Sequence, residues 1–175
     1  MTGDHGALRG FVRDIADFPT DGVTFRDITP LLGDAAAMAS AVNALVDQFA
    51  GVAVDRVVGV EARGFIFGAA VAYRAGAGFV PVRKAGKLPW AVVREEYALE
   101  YGTDKLEIHR DAIHPGERIL IVDDVLATGG TAAATAKLVE TLGGVVVGLA
   151  FLLEIEALAG RGKLGERSVK SLLAY

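Results

Sequence analysis

The sequence contains no cysteine among its 175 residues. This absence excludes a disulfide framework, a zinc site built from thiolates and a cysteine nucleophile. A chain without cysteine is compatible with a reducing compartment, and we expect a cytoplasmic location. The opening stretch MTGDHGALRG includes an acidic residue and lacks an apolar segment, so no secretory signal is expected.

Long apolar runs and an excess of basic charge are also missing. No apolar run reaches the roughly 18 residues that a membrane-spanning helix needs, although 52% of the residues are hydrophobic. That hydrophobic content is too high for a disordered chain. The net charge of -4 provides no basic field for a nucleic-acid partner. We therefore expect one folded domain over residues 1–175 that binds neither nucleic acid nor a membrane.

Short apolar stretches alternate with helical patterns along most of the chain. Four of these stretches are predicted to be buried strands, at residues 56–60, 78–84, 119–122 and 145–153. Near-continuous apolar strands separated by helices are typical of a parallel sheet that is covered on both faces. The sequence therefore predicts an α/β fold with a doubly wound, mainly parallel sheet, whose ligands bind beyond the carboxyl ends of the strands.

The helices are predicted from apolar spacing and from capping residues. Apolar residues recur at helical spacing between residues 8 and 15, which predicts an amphipathic N-terminal helix. Asp34 is placed to cap a second helix. A third helix is expected after the EARG motif at residues 61–64, and a fourth over residues 132–142, where two glycines follow in the usual place for a helix end.

The segment from about residue 84 to residue 110 has a different character. Leu106 and Ile108 alternate with Glu107 and His109, which is typical of a half-exposed antiparallel strand. The stretch before them has no clear helix period, and long segments of this kind are often lids. We expect a flexible hairpin here that overhangs the active edge of the sheet as a lid.

The stretch VDDVLATGGT, residues 122–131, carries the strongest chemical signal. Glycines that open a helix let the backbone approach a ligand, and the free N–H groups of the first helical turn favour an anion. The adjacent carboxylates of Asp123 and Asp124 are acceptors that suit two neighbouring sugar hydroxyls. No Gly-Lys-Ser/Thr sequence closes the loop, so it is not a Walker loop. We favour a sugar-phosphate site; the alternative is a glycine turn with acids placed for the helix dipole.

Residues 121–131, IVDDVLATGGT, resemble the signature of type I phosphoribosyltransferases. Three further regions are similar to the adenine-specific branch of that family: FP at residues 18–19 with GVTFRDITPLL at 22–32, EARGF at 61–65 with RKAGKLP at 83–89, and Tyr97 with LEYG at 99–102. The similar regions occur in order between residue 18 and about residue 153. Trp90 is bulky for a mobile loop, and the tail after residue 154 is only loosely similar.

The resemblance implies the type I phosphoribosyltransferase fold and a reaction. Adenine displaces pyrophosphate from 5-phosphoribosyl 1-pyrophosphate and forms AMP. Magnesium is expected on the pyrophosphate of the substrate, with no direct protein ligand, and a homodimer is expected. The residues implied to bind the ribose and the 5′-phosphate are Asp123, Asp124, Ala127, Thr128, Gly129, Gly130 and Thr131.

The resemblance also assigns roles around the leaving group and the base. Arg63, Lys84 and Lys87 are implied to face the pyrophosphate, and a cis peptide is implied in the loop formed by residues 61–63. Arg63 and Glu100 are the implied catalytic residues. Glu100 would handle a proton on the purine inside the closed lid. Tyr101 is the next residue of that lid. The implied base-binding residues are Val23, Thr24, Phe25 and Arg26.

Several alternatives remain open at this point. The enzyme could act on guanine, hypoxanthine or xanthine, or the fold could serve a non-enzymatic regulator that senses a ligand, or the loop could bind a phosphate unrelated to ribose chemistry. Arg63 could be a surface arginine that balances Glu61, Phe25 could be ordinary core packing, and Glu100 could be an exposed loop acid. Lys87 fits a solvated basic turn nearly as well.

Overall fold

The computed structural model describes residues 6–98 and 102–175. The strands are β1 (Arg13–Ile15), β2 (Phe25–Asp27), β3 (Arg56–Val60), β4 (Gly78–Lys84), β5 (Val92–Ala98), β6 (Thr103–His109), β7 (Arg118–Leu126), β8 (Val145–Glu154) and β9 (Val169–Ala174). The helices are α1 (Gly6–Arg9), α2 (Thr29–Gly33), α3 (Ala35–Asp47), α4 (Gly64–Ala75) and α5 (Gly130–Thr141), and short 3₁₀ turns cover Glu156–Leu158 and Gly160–Lys163.

A seven-stranded sheet in the order β5-β6-β4-β3-β7-β8-β9 forms the centre of the fold. The strands from β4 to β9 in this order run parallel to their neighbours, whereas β6 runs antiparallel to both β4 and β5. The predicted mainly parallel sheet is therefore confirmed, and so is the predicted hairpin. A separate pair, β1 and β2, forms a small antiparallel ribbon.

Strand β7 shows why both faces of the sheet are covered. Side chains alternate between the faces of a strand. Leu120 and Val122 pack into the core beside α3 and α4, and Ile119 and Ile121 pack into the core beside α5. Both sets are buried. This doubly apolar strand explains the near-continuous hydrophobic pattern of the sequence.

Helix α3 begins where the sequence predicts. The Asp34 carboxylate accepts a hydrogen bond of 2.8 Å from the N–H of Ala37, which satisfies a donor in the first helical turn. The buried residues Val42 and Leu45 then face the core. Among the described residues, no helix is both long and apolar enough to cross a membrane.

The two ends of the chain differ from the sequence prediction. Helix α1 ends at Arg9, and Ile15 pairs with Phe25 in the β1–β2 ribbon, so the predicted helix over residues 8–15 is wrong. The apolar residues have helical spacing but are drawn into the ribbon by long-range pairing. The tail forms β9, which pairs in parallel with β8. Only Leu172 and Leu173 are buried there, too short an apolar signal to predict an edge strand.

Strand β6 is more buried than its alternating pattern predicts. Glu107 is only 1% exposed, between the buried residues Leu106 and Ile108. Its carboxylate accepts hydrogen bonds from the Gly86 N–H at 2.9 Å and from Arg94 Nε at 2.8 Å. Burial raises the pKa of Glu107, but these hydrogen bonds outweigh it and lower the pKa overall. The prediction of a half-exposed strand is therefore wrong at this acid, which joins the hairpin to the turn after β4.

We predict that Glu107→Ala destabilises the protein. The substitution removes the hydrogen bonds that the buried carboxylate accepts from the Gly86 N–H and from Arg94 Nε, and the loss should be about 1–3 kcal/mol. Urea unfolding measures it. The matched control is Glu96→Ala on the same hairpin, where the carboxylate is 52% exposed and pairs with Lys105; its loss should stay under about 0.5 kcal/mol. Equal losses would show that burial of Glu107 contributes nothing.

Candidate functional site

The predicted loops meet at the carboxyl edge of the sheet. A cavity of about 290 Å³ is lined there by residues 61–63, which follow β3, and by residues 123–132, from the end of β7 to the start of α5. A larger groove of about 490 Å³ lies against α3 and α4. Its walls are mostly apolar, with no acid and no glycine loop at a helix start. The smaller cavity, which brings the predicted loops together, is therefore the candidate site.

The predicted phosphate loop, residues 127–129, enters α5 through Gly129 and Gly130. Gly129 has a φ of 78°, a conformation that favours glycine. The Gly129 carbonyl accepts the N–H of Ala133 at 2.9 Å, so the first helical turn forms immediately after the loop. The free N–H groups of that turn lie at the end of α5 that lines the cavity, where an anion is favoured. Thr128 and Thr131 also line the cavity.

The two acids lie within β7, which continues to Leu126, and not behind the strand as the sequence predicts. Asp124 is 5% exposed, and Asp123 lies at the base of the open cavity and keeps some exposure. Asp123 Oδ1 accepts the N–H of Asp124 at 2.9 Å. Burial and the charge of Asp124 raise the pKa of Asp123 well above its usual range, and burial also raises the pKa of Asp124.

Arg63 connects the acid pair with the aromatic side of the site. Its Nε lies 2.8 Å from Asp124 Oδ2, and the guanidinium lies 5.2 Å from the ring centroid of Phe25. Arg63 partly offsets the effect of burial on the pKa of Asp124. The arginine does not balance Glu61, because Glu61 Oε2 accepts a hydrogen bond from Arg83 Nε at 2.6 Å. That alternative is excluded by the geometry.

The loop after β3 and the turn after β4 form the other wall. The Glu61–Ala62 peptide is cis, which confirms the backbone feature that the resemblance implies. Lys84 Nζ lies 3.2 Å from Asp104 Oδ2, and the Lys87 side chain is exposed. Neither lysine lines the cavity of residues 61–63 and 123–132. Their contact with a pyrophosphate remains a prediction.

The predicted base-binding segment lies in and before β2. Phe25 contacts Phe18 edge to face, with ring centroids 5.3 Å apart, and its ring faces Arg63. Neighbouring residues of a strand point to opposite faces, so Arg26 points the other way and lies 4.3 Å from the ring centroid of Tyr175. Arg26 also pairs with Asp14. A base-orienting role for the Arg26 side chain would require it to leave both partners.

Two neighbouring residues of the same segment complete the predicted base site. Val23 is 44% exposed, and Thr24 is also exposed, just before β2 begins. Their backbone groups are thus accessible to a ligand that stacks on Phe25. The binding of a base by these residues remains a prediction.

Two predicted residues of the lid, Glu100 and Tyr101, lie outside the described residues. The last described pair before them is Ala98 with Thr103, which brings β5 and β6 together in register. Their roles therefore remain predictions. The hairpin itself occupies residues 92–98 and 103–109.

Tyr97 is a functional candidate that sequence reasoning noted only as part of the lid. Its hydroxyl accepts a hydrogen bond of 3.3 Å from Thr131 Oγ1 and lies 3.5 Å from Asp104 Oδ2. Burial raises the pKa of Tyr97. Alternation along β5 places Glu95 on the same face, and Lys137 of α5 donates to it at 2.7 Å. This alternation along β5 is the sequence signal from which the position of Tyr97 beside the phosphate loop could have been predicted.

Comparisons with known proteins cover nearly the whole chain. The family described as "Phosphoribosyl transferase domain" matches residues 27–170. The adenine phosphoribosyltransferase of Acidothermus cellulolyticus is 56% identical over 162 residues, which are 93% of this chain and 92% of that protein.

Two solved structures support the same relationship. The crystal structure of adenine phosphoribosyltransferase from Thermoanaerobacter pseudethanolicus has a TM-score of 0.96 at 51% identity, over 98% of this chain and 99% of that chain. The Saccharomyces cerevisiae enzyme was crystallised with D-2,5-dideoxy-2,5-imino-altritol 1,6-bisphosphate and adenine. It has a TM-score of 0.93 at 39% identity, over 99% of this chain and 100% of that chain.

We predict that Asp123→Asn stabilises the ligand-free protein near neutral pH. Because the pKa of Asp123 is raised above its ordinary 3.8, the stability linked to its proton is present at acid pH and is lost as the pH rises through the folded-state pKa. Asparagine keeps the acceptor for the Asp124 N–H and removes the charge. The thermal midpoint should rise by about 2–4 °C for each kcal/mol gained, and the gain should shrink toward about pH 4.

Thermal unfolding across this pH range is the measurement, with Asp27→Asn as the opposite control. Hydrogen bonds from the Thr29 hydroxyl and N–H lower the pKa of Asp27, so that variant should lose stability at neutral pH and lose less as the pH falls. A gain for Asp123→Asn that is the same at every pH would contradict the raised pKa.

Proposed function

The chain belongs to the phosphoribosyl transferase family, and we propose that it is an adenine phosphoribosyltransferase. It joins adenine to the ribose 5-phosphate of 5-phosphoribosyl 1-pyrophosphate and releases pyrophosphate, which yields AMP in purine salvage. The observation that supports this proposal is the cavity, in which the acid pair of β7 and the glycine loop at the start of α5 lie side by side. Full-length relatives with this activity support the choice of adenine.

The sugar phosphate is proposed to bind with its 5′-phosphate at the start of α5. Residues 127–131 supply backbone N–H groups and two threonine hydroxyls around the phosphate. The ribose hydroxyls then donate to Asp123 and Asp124. These carboxylates would be ionised more easily once hydroxyl groups donate to them, because hydrogen bonds to the charged form lower a carboxyl pKa.

Binding of the diphosphate is proposed to move Arg63. In the ligand-free protein its guanidinium contacts Asp124 at 2.8 Å. A pyrophosphate carries more negative charge and accepts paired hydrogen bonds from an arginine fork. When Arg63 turns to the leaving group, the ribose hydroxyls take its place at Asp124. Arg63 would thus stabilise the acid pair before the diphosphate binds, and then the negative charge on the pyrophosphate as it leaves.

Magnesium is proposed to enter with the diphosphate. Among residues 6–98 and 102–175, no group of three or more His, Asp or Glu side chains is arranged to hold a metal ion. Asp123 and Asp124 offer oxygen donors of the kind that magnesium prefers, and magnesium takes few protein ligands when phosphate oxygens and water supply the rest. Bound to the pyrophosphate, the ion neutralises charge on the leaving group. Asp123 and Asp124 line the cavity in which the pyrophosphate is proposed to bind, and they would face the water shell of the ion.

The base is proposed to stack on Phe25 under the hairpin lid. Adenine offers a flat face to the ring and polar edges to the backbone of residues 23–25. Glu100, which lies between β5 and β6 in the sequence, would exchange a proton with the purine ring as the new bond forms. Closure of the lid would remove water from Glu100 and raise its pKa, which suits a proton donor.

We also propose that the enzyme is a cytoplasmic homodimer. Helix α4 presents Ile66 and Tyr73, which are 41% and 90% exposed. They lie seven positions apart and therefore on one face of the helix. A second copy that covers this face would bury both side chains. The absence of cysteine is compatible with the reducing cytoplasm.

We predict AMP formation from adenine, 5-phosphoribosyl 1-pyrophosphate and magnesium, and a loss of activity when the metal is chelated. Release of pyrophosphate measures the reaction with each base in turn. Adenine should exceed hypoxanthine and guanine by at least about tenfold in kcat/KM, or about 1.4 kcal/mol. If the kcat/KM for hypoxanthine or guanine equals that for adenine, the base assignment is wrong and the family assignment stands.

We predict that Glu100→Gln slows the chemical step. Glutamine keeps the size and a hydrogen bond but cannot transfer a proton, so single-turnover AMP formation should fall on the order of 10²-fold, with little change in substrate binding. Glu96→Gln, an exposed neighbour that pairs with Lys105, is the matched control. A Glu100→Gln rate within about twofold of wild type, a barrier change under roughly 0.5 kcal/mol, would remove Glu100 from proton transfer.

A further inference from the structure

The segment of residues 156–163, which connects β8 toward β9, packs directly against the phosphate loop. A Cβ atom on Gly129 would lie 2.2 Å from the carbonyl oxygen of Gly160, and a Cβ atom on Gly160 would lie 2.2 Å from the carbonyl oxygen of Ala127. Real Cβ atoms essentially never approach another atom closer than 3.0 Å. The two backbones are thus in contact from both sides, with no room for a side chain at either glycine.

An ion pair between the half-exposed Arg161 and the buried Glu154 anchors this segment to the sheet. Arg161 donates from Nε and Nη2 to the two carboxylate oxygens of Glu154, at 2.7 and 2.6 Å. The Glu154 side chain is only 8% exposed, and it also accepts the Ser171 hydroxyl at 2.9 Å. A third donor of Arg161 reaches the Val169 carbonyl at 2.8 Å. Paired hydrogen bonds of this kind fix the orientation as well as the position of the arginine.

The anchor is continuous with the strand that carries the acid pair. Glu154 is the last residue of β8 and lies beside Leu126, the last residue of β7. The N–H of Ile155 then donates to the Leu126 carbonyl at 2.9 Å. The phosphate loop begins where β7 ends, and the segment of residues 156–163 follows the end of β8. Both therefore start from the same pair of strand ends.

We propose that Gly160 and the Glu154–Arg161 pair are positioning residues for the 5′-phosphate. They hold residues 127–129 against the end of the sheet, so that the N–H groups at the start of α5 converge on one point. None of the three lines the described cavity, and they act only through the loop. This inference rests on the proposed function, because it assigns the tail a role in binding the sugar phosphate of that reaction.

The test compares two glycines of the same short segment. Gly160→Ala inserts a methyl group into the contact with Ala127, whereas a Cβ atom on Gly162 meets nothing within 4 Å. We expect Gly160→Ala to weaken ribose 5-phosphate binding, measured by calorimetry, by at least about tenfold. The same variant should raise the KM for 5-phosphoribosyl 1-pyrophosphate and leave the KM for adenine within about twofold. Gly162→Ala should match the wild type in every measurement.

A second pair of variants keeps the test decisive if Gly160→Ala folds poorly. Arg161→Met removes the fork, and Arg161→Lys restores the charge with fewer hydrogen bonds, so the loss of ribose 5-phosphate affinity should be larger for methionine. Arg167→Met is the control, because Arg167 also donates from Nε and Nη2 to a carboxylate, here to one oxygen of the exposed Glu140. A merely structural role would lower the thermal midpoint of Arg161→Met and Arg167→Met alike and leave ribose 5-phosphate affinity unchanged in both.

The outcomes separate this inference from the proposed function. If the wild type binds ribose 5-phosphate and the Gly160 and Arg161 variants bind as well as their controls, the positioning role is overturned and the proposed function stands. If the wild type binds neither ribose 5-phosphate nor the diphosphate substrate, the proposed function is overturned and this inference with it. If the wild type binds ribose 5-phosphate but forms no AMP, weaker binding by the variants still supports the positioning role.

Discussion

The site depends on one arrangement: two adjacent carboxylates are held at the end of a buried strand, and a single arginine offsets them. Asp124 is almost fully buried and contacts Arg63 at 2.8 Å. Asp123 lies so close to the first residue of α4 that a Cβ atom on Gly64 would be 2.5 Å from its Oδ1. A free charge in such surroundings would be costly, and the ion pair with Arg63 offsets part of that cost for Asp124.

The surrounding elements supply what this acid pair cannot. β3 ends in the loop that carries Arg63, and β7 continues into the glycine loop and α5. The phosphate, the ribose and the leaving group are thereby assigned to three neighbouring parts of one sheet edge, as parallel α/β sheets allow. The segment of residues 156–163 packs against the phosphate loop, with backbone in contact with backbone. Catalysis in this protein is consequently a matter of position and charge, and a protein nucleophile is not required.

The sequence was most informative where local patterns and tertiary burial agree. The predicted bounds of β3 and β4 are the observed ones, because each is an apolar run between turn residues. Asp34 was recognisable as a cap for the same local reason. The burial of Glu107, the pairing of β9 with β8 and the turn of Arg26 toward Tyr175 depend on residues far away in the chain. No periodicity carries that information, and the contact between Gly129 and Gly160 is of the same kind.

The strand order has a consequence for how this enzyme can diverge. β7, with its acids and predicted phosphate loop, has a parallel neighbour on each side. The β5–β6 hairpin lies at the edge of the sheet, and its strand pairing with β4 covers two residue pairs, Arg83 with Glu107 and Lys84 with Leu106. Phe25 lies in a separate two-stranded ribbon. The parts that are proposed to read the base are thus peripheral, and the parts that are proposed to hold the sugar phosphate are central. Substitutions at the periphery can change which base is accepted while the centre keeps the same donor substrate.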